Sequence, residues 1–210
     1  MANYIGSNQL TKMYLGDVEL VKAYIGANEV YSSALTITNI VTNGDLSNGT
    51  TGWSASGLSS ISAADNVLSI TTGEWTIGQA YCNSHQFLET HKIYYKLVCR
   101  VTNALCSIIH NYTSDANGDM SVASPTENEW YEVSALDTID YDFNDGIFYC
   151  NHTYGTAVAG RVMQVKYALA VDLTADFGAG NEPTKEQMDT LISAMDNHWF
   201  DGTITIDPIS

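Results

Sequence analysis

Along most of the chain, apolar positions come in short runs that alternate with polar ones, the period of half-buried strands. Residues 58–61 and 67–71 flank Ala64-Asp65-Asn66, a turn signal, and predict a hairpin. Residues 75–82 follow as a strand. Residues 93–101 and 105–112 flank Thr102-Asn103-Ala104 and predict a second hairpin. Segments 130–134, 146–150 and 161–171 complete the set. About eight strands at this spacing, with no helices between them, predict an all-β fold over 35–175: an antiparallel β-sandwich of the jelly-roll kind. The pattern changes in 176–210. Thr184 with Gln187 three residues on is a capping box that predicts a helix start. Met188, Leu191, Ile192 and Met195 then recur at helical spacing, one apolar face about three turns long. Asn197 ends it, and Trp199-Phe200 is expected to anchor the end against the sandwich.

Residues 1–33 carry a different periodicity. Three ten-residue units run in tandem, YIGSNQLTKM, YLGDVELVKA and YIGANEVYSS. Tyr4, Tyr14 and Tyr24 open them, followed by Ile5, Leu15 and Ile25 and then Gly6, Gly16 and Gly26. Each Gly with its polar neighbours is a turn signal, so the units predict a small β-meander or one layer of a solenoid. So small a piece cannot bury enough apolar surface to stand alone. It reads as a docking or assembly element, with those six Tyr, Ile and Leu residues as its contacts. The alternative is a hairpin that merely caps the main domain.

Charge narrows the partners. The formal net charge is −16, from 24 acidic and 8 basic residues, and 101–160 holds no Lys or Arg at all. Such a field repels phosphate backbones and anionic lipid, which argues against nucleic-acid binding. The excess of acid also suits solubility at high local copy number. No apolar run reaches the roughly 18 residues of a membrane span, so no membrane insertion is expected. Met1-Ala2-Asn3 leads into the first repeat without the pattern of a signal peptide, and synthesis in a cytoplasm is the expectation. Cys82, Cys99, Cys106 and Cys150 lie in apolar runs without metal-binding spacing and read as buried reduced thiols.

Three segments carry a resemblance. Ile40–Trp53, with its NGD motif, Gly-rich loop and Trp, resembles the opening of carbohydrate-binding-module-like jelly rolls. DLTADFGAGNEPT, residues 172–184, resembles a tail found in tailed-bacteriophage structural proteins, and the Tyr-Gly decapeptides resemble the N-termini of phage virion proteins. Together they imply a phage virion component, on a tail, baseplate or capsid exterior, displaying such a jelly roll. They also imply other virion proteins as partners, a multi-copy or homo-oligomeric assembly, and a place on the virion after synthesis in a bacterial host. The same family implies a structural calcium joining first strand to last, for which Asp45 and Asp172 are the matching positions. Ser47 stands where the family often has Glu, which removes one hard-oxygen ligand. No other cofactor is implied.

The functional reading is a non-enzymatic virion structural protein docked by its repeats. The alternative is a module binding a host-surface glycan. Sugar recognition needs rings to stack on apolar sugar faces beside groups that bond hydroxyls. Trp75, Tyr112 and Tyr154 are the candidate stacking rings, while Trp53 and Trp130 are expected in the core. The bland reading of all these rings is sandwich core plus scattered surface Tyr. A glycan-cleaving enzyme is the remote alternative, because no GxSxG, P-loop or HxxxH pattern occurs and nothing selects a carboxylate pair. No catalytic residue is assigned.

Overall fold

The computed structural model describes residues 35–56, 59–73, 79–82, 86–102, 120–122, 125–142 and 159–206, and the backbone of paired segments at 4–5, 8–9, 14–15, 18–19, 22–25, 28–32, 108–110 and 149–151. The repeats form three antiparallel hairpins: β1 (Tyr4–Ile5) with β2 (Asn8–Gln9), β3 (Tyr14–Leu15) with β4 (Val18–Glu19), and β5 (Lys22–Ile25) with β6 (Asn28–Ser32). The register repeats with the sequence: Tyr4 pairs with Gln9, Tyr14 with Glu19 and Tyr24 with Glu29. Among the described residues each hairpin is its own two-stranded sheet, unlike the continuous meander the repeats suggest.

The sandwich follows, from β7 (Leu35–Thr38), β8 (Trp53–Ser56), β9 (Ser60–Ala64), β10 (Val67–Thr71), β11 (Gln79–Cys82), β12 (Lys92–Val101), β13 (Ile108–His110), β14 (Met120–Ser121), β15 (Tyr131–Thr138), β16 (Tyr149–Asn151) and β17 (Val162–Asp172). Then come α1 (Leu173–Phe177), α2 (Lys185–Ser193) and β18 (Thr203–Ile206). The main sheet has the order β15-β12-β17-β10-β9, antiparallel throughout. β8 pairs with β11, and β13 lies between β14 and β16. The predicted β9–β10 hairpin is present. Its turn residues Asp65 and Asn66 both have positive φ, which these side chains tolerate and a tight hairpin requires.

The second predicted hairpin is not formed. Both edges of β12 are occupied, by β15 and by β17, so the chain after Val101 leaves the main sheet and β13 pairs elsewhere. β12 is buried on both faces, with seven of its ten residues in succession nearly inaccessible. Ile93, Tyr95, Leu97 and Cys99 point into the sandwich core, with Leu68, Ile70, Val165 and, from the β8–β11 pair, Trp53, Ala80 and Cys82. Tyr94 points the other way, into a second core with Leu169, Val171, Met188, Ile192, Phe200, Ile37 and Ile206. Helix α2 and the β7–β18 pair thus pack on the sheet's outer face.

The motif at 172–184 is the clamp that holds this cover in place. Asp172 caps α1 by accepting from the Ala175 N–H at 2.9 Å. Thr174 Oγ1 accepts from the Lys92 N–H at 2.9 Å and donates to Glu182 at 3.0 Å. Asp176 accepts from the Thr38 N–H at 2.8 Å, tying α1 to β7. Gly178 and Gly180 both take positive φ, near 83° and 84°, which lets the chain double back. Glu182 also accepts from the Gly180 N–H and from Lys92, and its carboxyl is held below the usual range: the backbone hydrogen bond leads, opposed by burial and reinforced by Thr174 and Lys92. Thr184 and Gln187 then form the predicted capping box.

Candidate functional site

On its outer side β12 presents Tyr94, Lys96, Val98 and Arg100, and the antiparallel register sets Glu132 and Ser134 of β15 beside them. Helix α2 meets this face at Tyr94, whose hydroxyl reaches Asp189. The step between helix and sheet is a cleft of about 340 Å³, lined by Lys96, Glu132, Val133, Ser134, Asp189, Thr190 and Ser193.

The cleft is polar, and its members hold one another. The Lys96 side chain is only 8% exposed and sets its ammonium 3.1 Å from Glu132. His198, in the turn Asp196–His198, meets the same carboxylate at 2.9 Å. Tyr94 donates its hydroxyl to Asp189 at 2.7 Å, and Lys185 reaches the other Asp189 oxygen at 2.7 Å, one helical turn away. Burial pushes the Glu132 carboxyl up, but hydrogen bonds from His198 and Lys96 outweigh it and hold it below the ordinary value. Asp189 follows the same logic, burial being outweighed by Lys185, Ser134 and Tyr94. The Tyr94 hydroxyl is driven far upward by burial and by the adjacent Asp189. Both carboxylates are therefore ionised at neutral pH. Glycoside cleavage needs one carboxyl with a raised pKa to protonate the leaving oxygen, and neither carboxylate here carries that proton. What the cleft offers instead is convergent acceptors and donors of the kind that pair with sugar hydroxyls.

Beyond the cleft, among the described residues, the outer face carries rings. Trp130 lies over the Arg100 guanidinium, 4.6 Å from centroid to carbon. On β17, Tyr167 stacks on Trp199 at 5.7 Å, and Trp199 Nε1 donates to the Ala168 carbonyl at 2.8 Å. Trp130 is thus half-buried on the outer face rather than in the sandwich core. It precedes β15 on the side of the sheet against which α2 packs. Trp53 is in the core as expected.

Of the residues singled out from sequence, Trp75, Tyr112 and Tyr154 lie outside the described residues. Tyr4, Tyr14, Tyr24, Ile5, Leu15 and Ile25 occupy matching positions in the first strands of the three hairpins. Asp45 accepts from the Ser47 N–H and hydroxyl. Asp172, besides capping α1, accepts from His91 Nδ1 at 2.8 Å, so donors meet both of its oxygens, the arrangement of a helix cap. Among the described residues no three His, Cys, Asp or Glu gather as a metal site. Cys82 and Cys99 are buried thiols; burial pushes Cys99 up to about 12. Cys106 and Cys150 carry no described side chain. Among the described residues no helix is long and apolar enough to cross a membrane. Sequence reading missed the cleft itself. Its one visible signal was Lys96, a cation in the middle of the largely apolar run of β12.

No protein-family model matches the chain, and no curated protein is similar to it at a significant level. Solved structures do match. An arabinose-bound family GH51 α-L-arabinofuranosidase superimposes with a TM-score of 0.54 at 10% identity, over 74% of this chain and 29% of that enzyme. A family 16 carbohydrate-binding module gives 0.43 at 15% identity, over 63% of this chain and 99% of the module. A CBM4 module gives 0.45 at 12% identity, over 60% and 97%. The chain spans under a third of the arabinofuranosidase, and the likeness to it shows the all-β sandwich fold that the strand pattern predicts.

Proposed function

We propose that this chain is a carbohydrate-recognition module that binds a saccharide without cleaving it. The observation that carries the reading is the cleft beside α2: two ionised carboxylates, a nearly buried ammonium and three hydroxyl-bearing residues converge there, and none of the carboxyls is poised as an acid. Carboxylates accept from sugar hydroxyls, Lys96 donates to them, and Trp130, two residues before Glu132, adds a half-buried ring over Arg100. Affinity electrophoresis against arabinan, xylan and glucomannan tests this. Retardation by at least one polymer is expected, abolished in Glu132→Gln/Asp189→Asn, with no reducing ends released on prolonged incubation. Migration unaffected by every polymer, or release of reducing ends, would contradict it.

A second reading concerns how the module is displayed. Three hairpins with one repeated register stand ahead of a sandwich whose own strands already pair. Such units suit docking to a repetitive scaffold, and a phage particle carrying the module in many copies is the scaffold that the decapeptide and the 172–184 tail suggest. Removal of residues 1–33 should then leave a folded sandwich that binds glycan but no longer enters particles. Normal incorporation of the truncated protein would exclude the docking role.

A further inference from the structure

In a chain with a net charge of −16, a cation without a carboxylate against it is the anomaly. Lys92, Lys96 and Lys185 each face one, in Glu182, Glu132 and Asp189. Among the described residues Arg100 and Lys166 do not. Arg100 has the Trp130 ring on its guanidinium and gives its Nε–H to Gln164 at 2.7 Å. Gln164 in turn gives its amide N–H to Ser69 at 3.0 Å, so Arg100, Gln164 and Ser69 form one polar row across β12, β17 and β10. Lys166 lies at a bulge. The β12–β17 register passes from Val98↔Tyr167 to Cys99↔Val165, which leaves Lys166 without a counterpart on β12. A bulge re-aims side chains, and here the exposed Lys166 ammonium sits 5.2 Å above the Tyr167 ring, beside the Tyr167–Trp199 stack. Two ring-and-cation pairs therefore stand on the neighbouring strands β12 and β17. The nearest carboxylate on β15, Glu132, is already engaged by Lys96 and His198, and Glu129 accepts from the Tyr131 hydroxyl.

We infer that this cluster, built on Trp130, Arg100, Gln164 and Lys166, binds a carboxylate-bearing sugar unit next to the cleft. The inference rests on the glycan-binding reading and adds the class of sugar. With its Nε held by Gln164 and its plane packed on Trp130, the Arg100 fork is fixed in advance. Among the described residues its two terminal nitrogens are taken by no hydrogen bond, which suits bidentate pairing with a carboxylate. Lys166 supplies a second positive charge, and the half-buried Trp130 ring adds apolar surface for the pyranose.

The probes are polygalacturonate and the same polymer with its carboxyls reduced, measured against the full chain by affinity electrophoresis and calorimetry. Polygalacturonate should bind at least about tenfold more tightly than the reduced polymer, the scale of one charged hydrogen-bonded pair. That preference should shrink as salt rises from about 50 to about 500 mM. Arg100→Gln should remove most of the preference, and the exposed Lys166→Gln should lower it with unchanged thermal unfolding, so a folding defect at Arg100 cannot mimic the result. Equal binding of the two polymers, or a preference indifferent to both substitutions, overturns the inference. If only the reduced polymer binds, the anionic subsite is wrong and the glycan-binding module stands. If neither is bound and the neutral panel also fails, both fall.

Discussion

Asn43 holds the loop of the NGD motif from several sides. Its side chain donates to the Gly49 and Thr51 carbonyls and accepts from the Asn48 N–H, and its own carbonyl receives the Trp53 indole N–H. Next to it, Gly44 passes so close to β17 that a Cβ would run into the Ala168 carbonyl oxygen. That same oxygen takes the Trp199 indole. Gly44→Ala should therefore destabilise by about 1–3 kcal/mol, the range for overpacking, when followed by urea unfolding. The fate of the tryptophans shows what a sequence reveals at this scale. Trp53 follows a Gly-rich turn into an alternating strand, and its burial was readable from that alternation. Trp130 opens a strand in the same way, yet lies over Arg100, on the side of the sheet against which α2 packs. Where a helix packs on a sheet is not written in the residues beneath it. Cys99 gives a second test at this scale. With burial holding its thiol at about 12, it should resist alkylation at pH 8 in the native protein and react on unfolding, as mass spectrometry would record.

Among the elements, α2 was legible because its signals are local: a cap, a box partner three residues on and an apolar stripe. Thr184→Ala removes the hydroxyl that accepts the Gln187 N–H and opens the box. A loss of about 1 kcal/mol is expected, measurable as a lower denaturation midpoint with an unchanged slope. Thr184→Ser should retain most of the stability. The strand after Val101 was misassigned for the opposite reason. Thr102-Asn103-Ala104 is a sound turn signal, but β12 already had β15 and β17 on its edges, and edge occupancy is a long-range property. β18 escaped notice because four residues, Thr203 to Ile206, give too short an alternation to stand out. Its partner β7 lies at the other end of the sandwich sequence. The 172–184 string was recognisable as a motif, but its role as a clamp between β7, β12 and α2 is visible only in its hydrogen bonds.

For the whole molecule, the acid excess and the carboxylate contacts set the response to pH. Glu132, Glu182 and Asp189 all have pKa values lowered by folding. A lowered carboxyl adds stability above its unfolded pKa, about 4, and that stability disappears as pH falls through the folded value. The unfolding free energy should thus be flat from pH 7 to about 5 and decline below about 4; Glu182→Gln should make the decline shallower. The fold class could be read from the strand spacing alone. The cleft could not, since it joins β12, β15 and α2, which are separated in sequence and meet only through sheet pairing and through the clamp that seats α2. The central claim is that this cleft receives a saccharide. Its most direct test is amide chemical-shift mapping of the isotope-labelled protein titrated with arabino-oligosaccharides, xylohexaose, cellohexaose and oligogalacturonate. The expected result is saturable shifts clustered at Lys96, Arg100, Glu132–Ser134, Lys166 and Asp189–Ser193, with each sugar recovered intact. Shifts confined to other surfaces, or none with any of the four, would contradict the account.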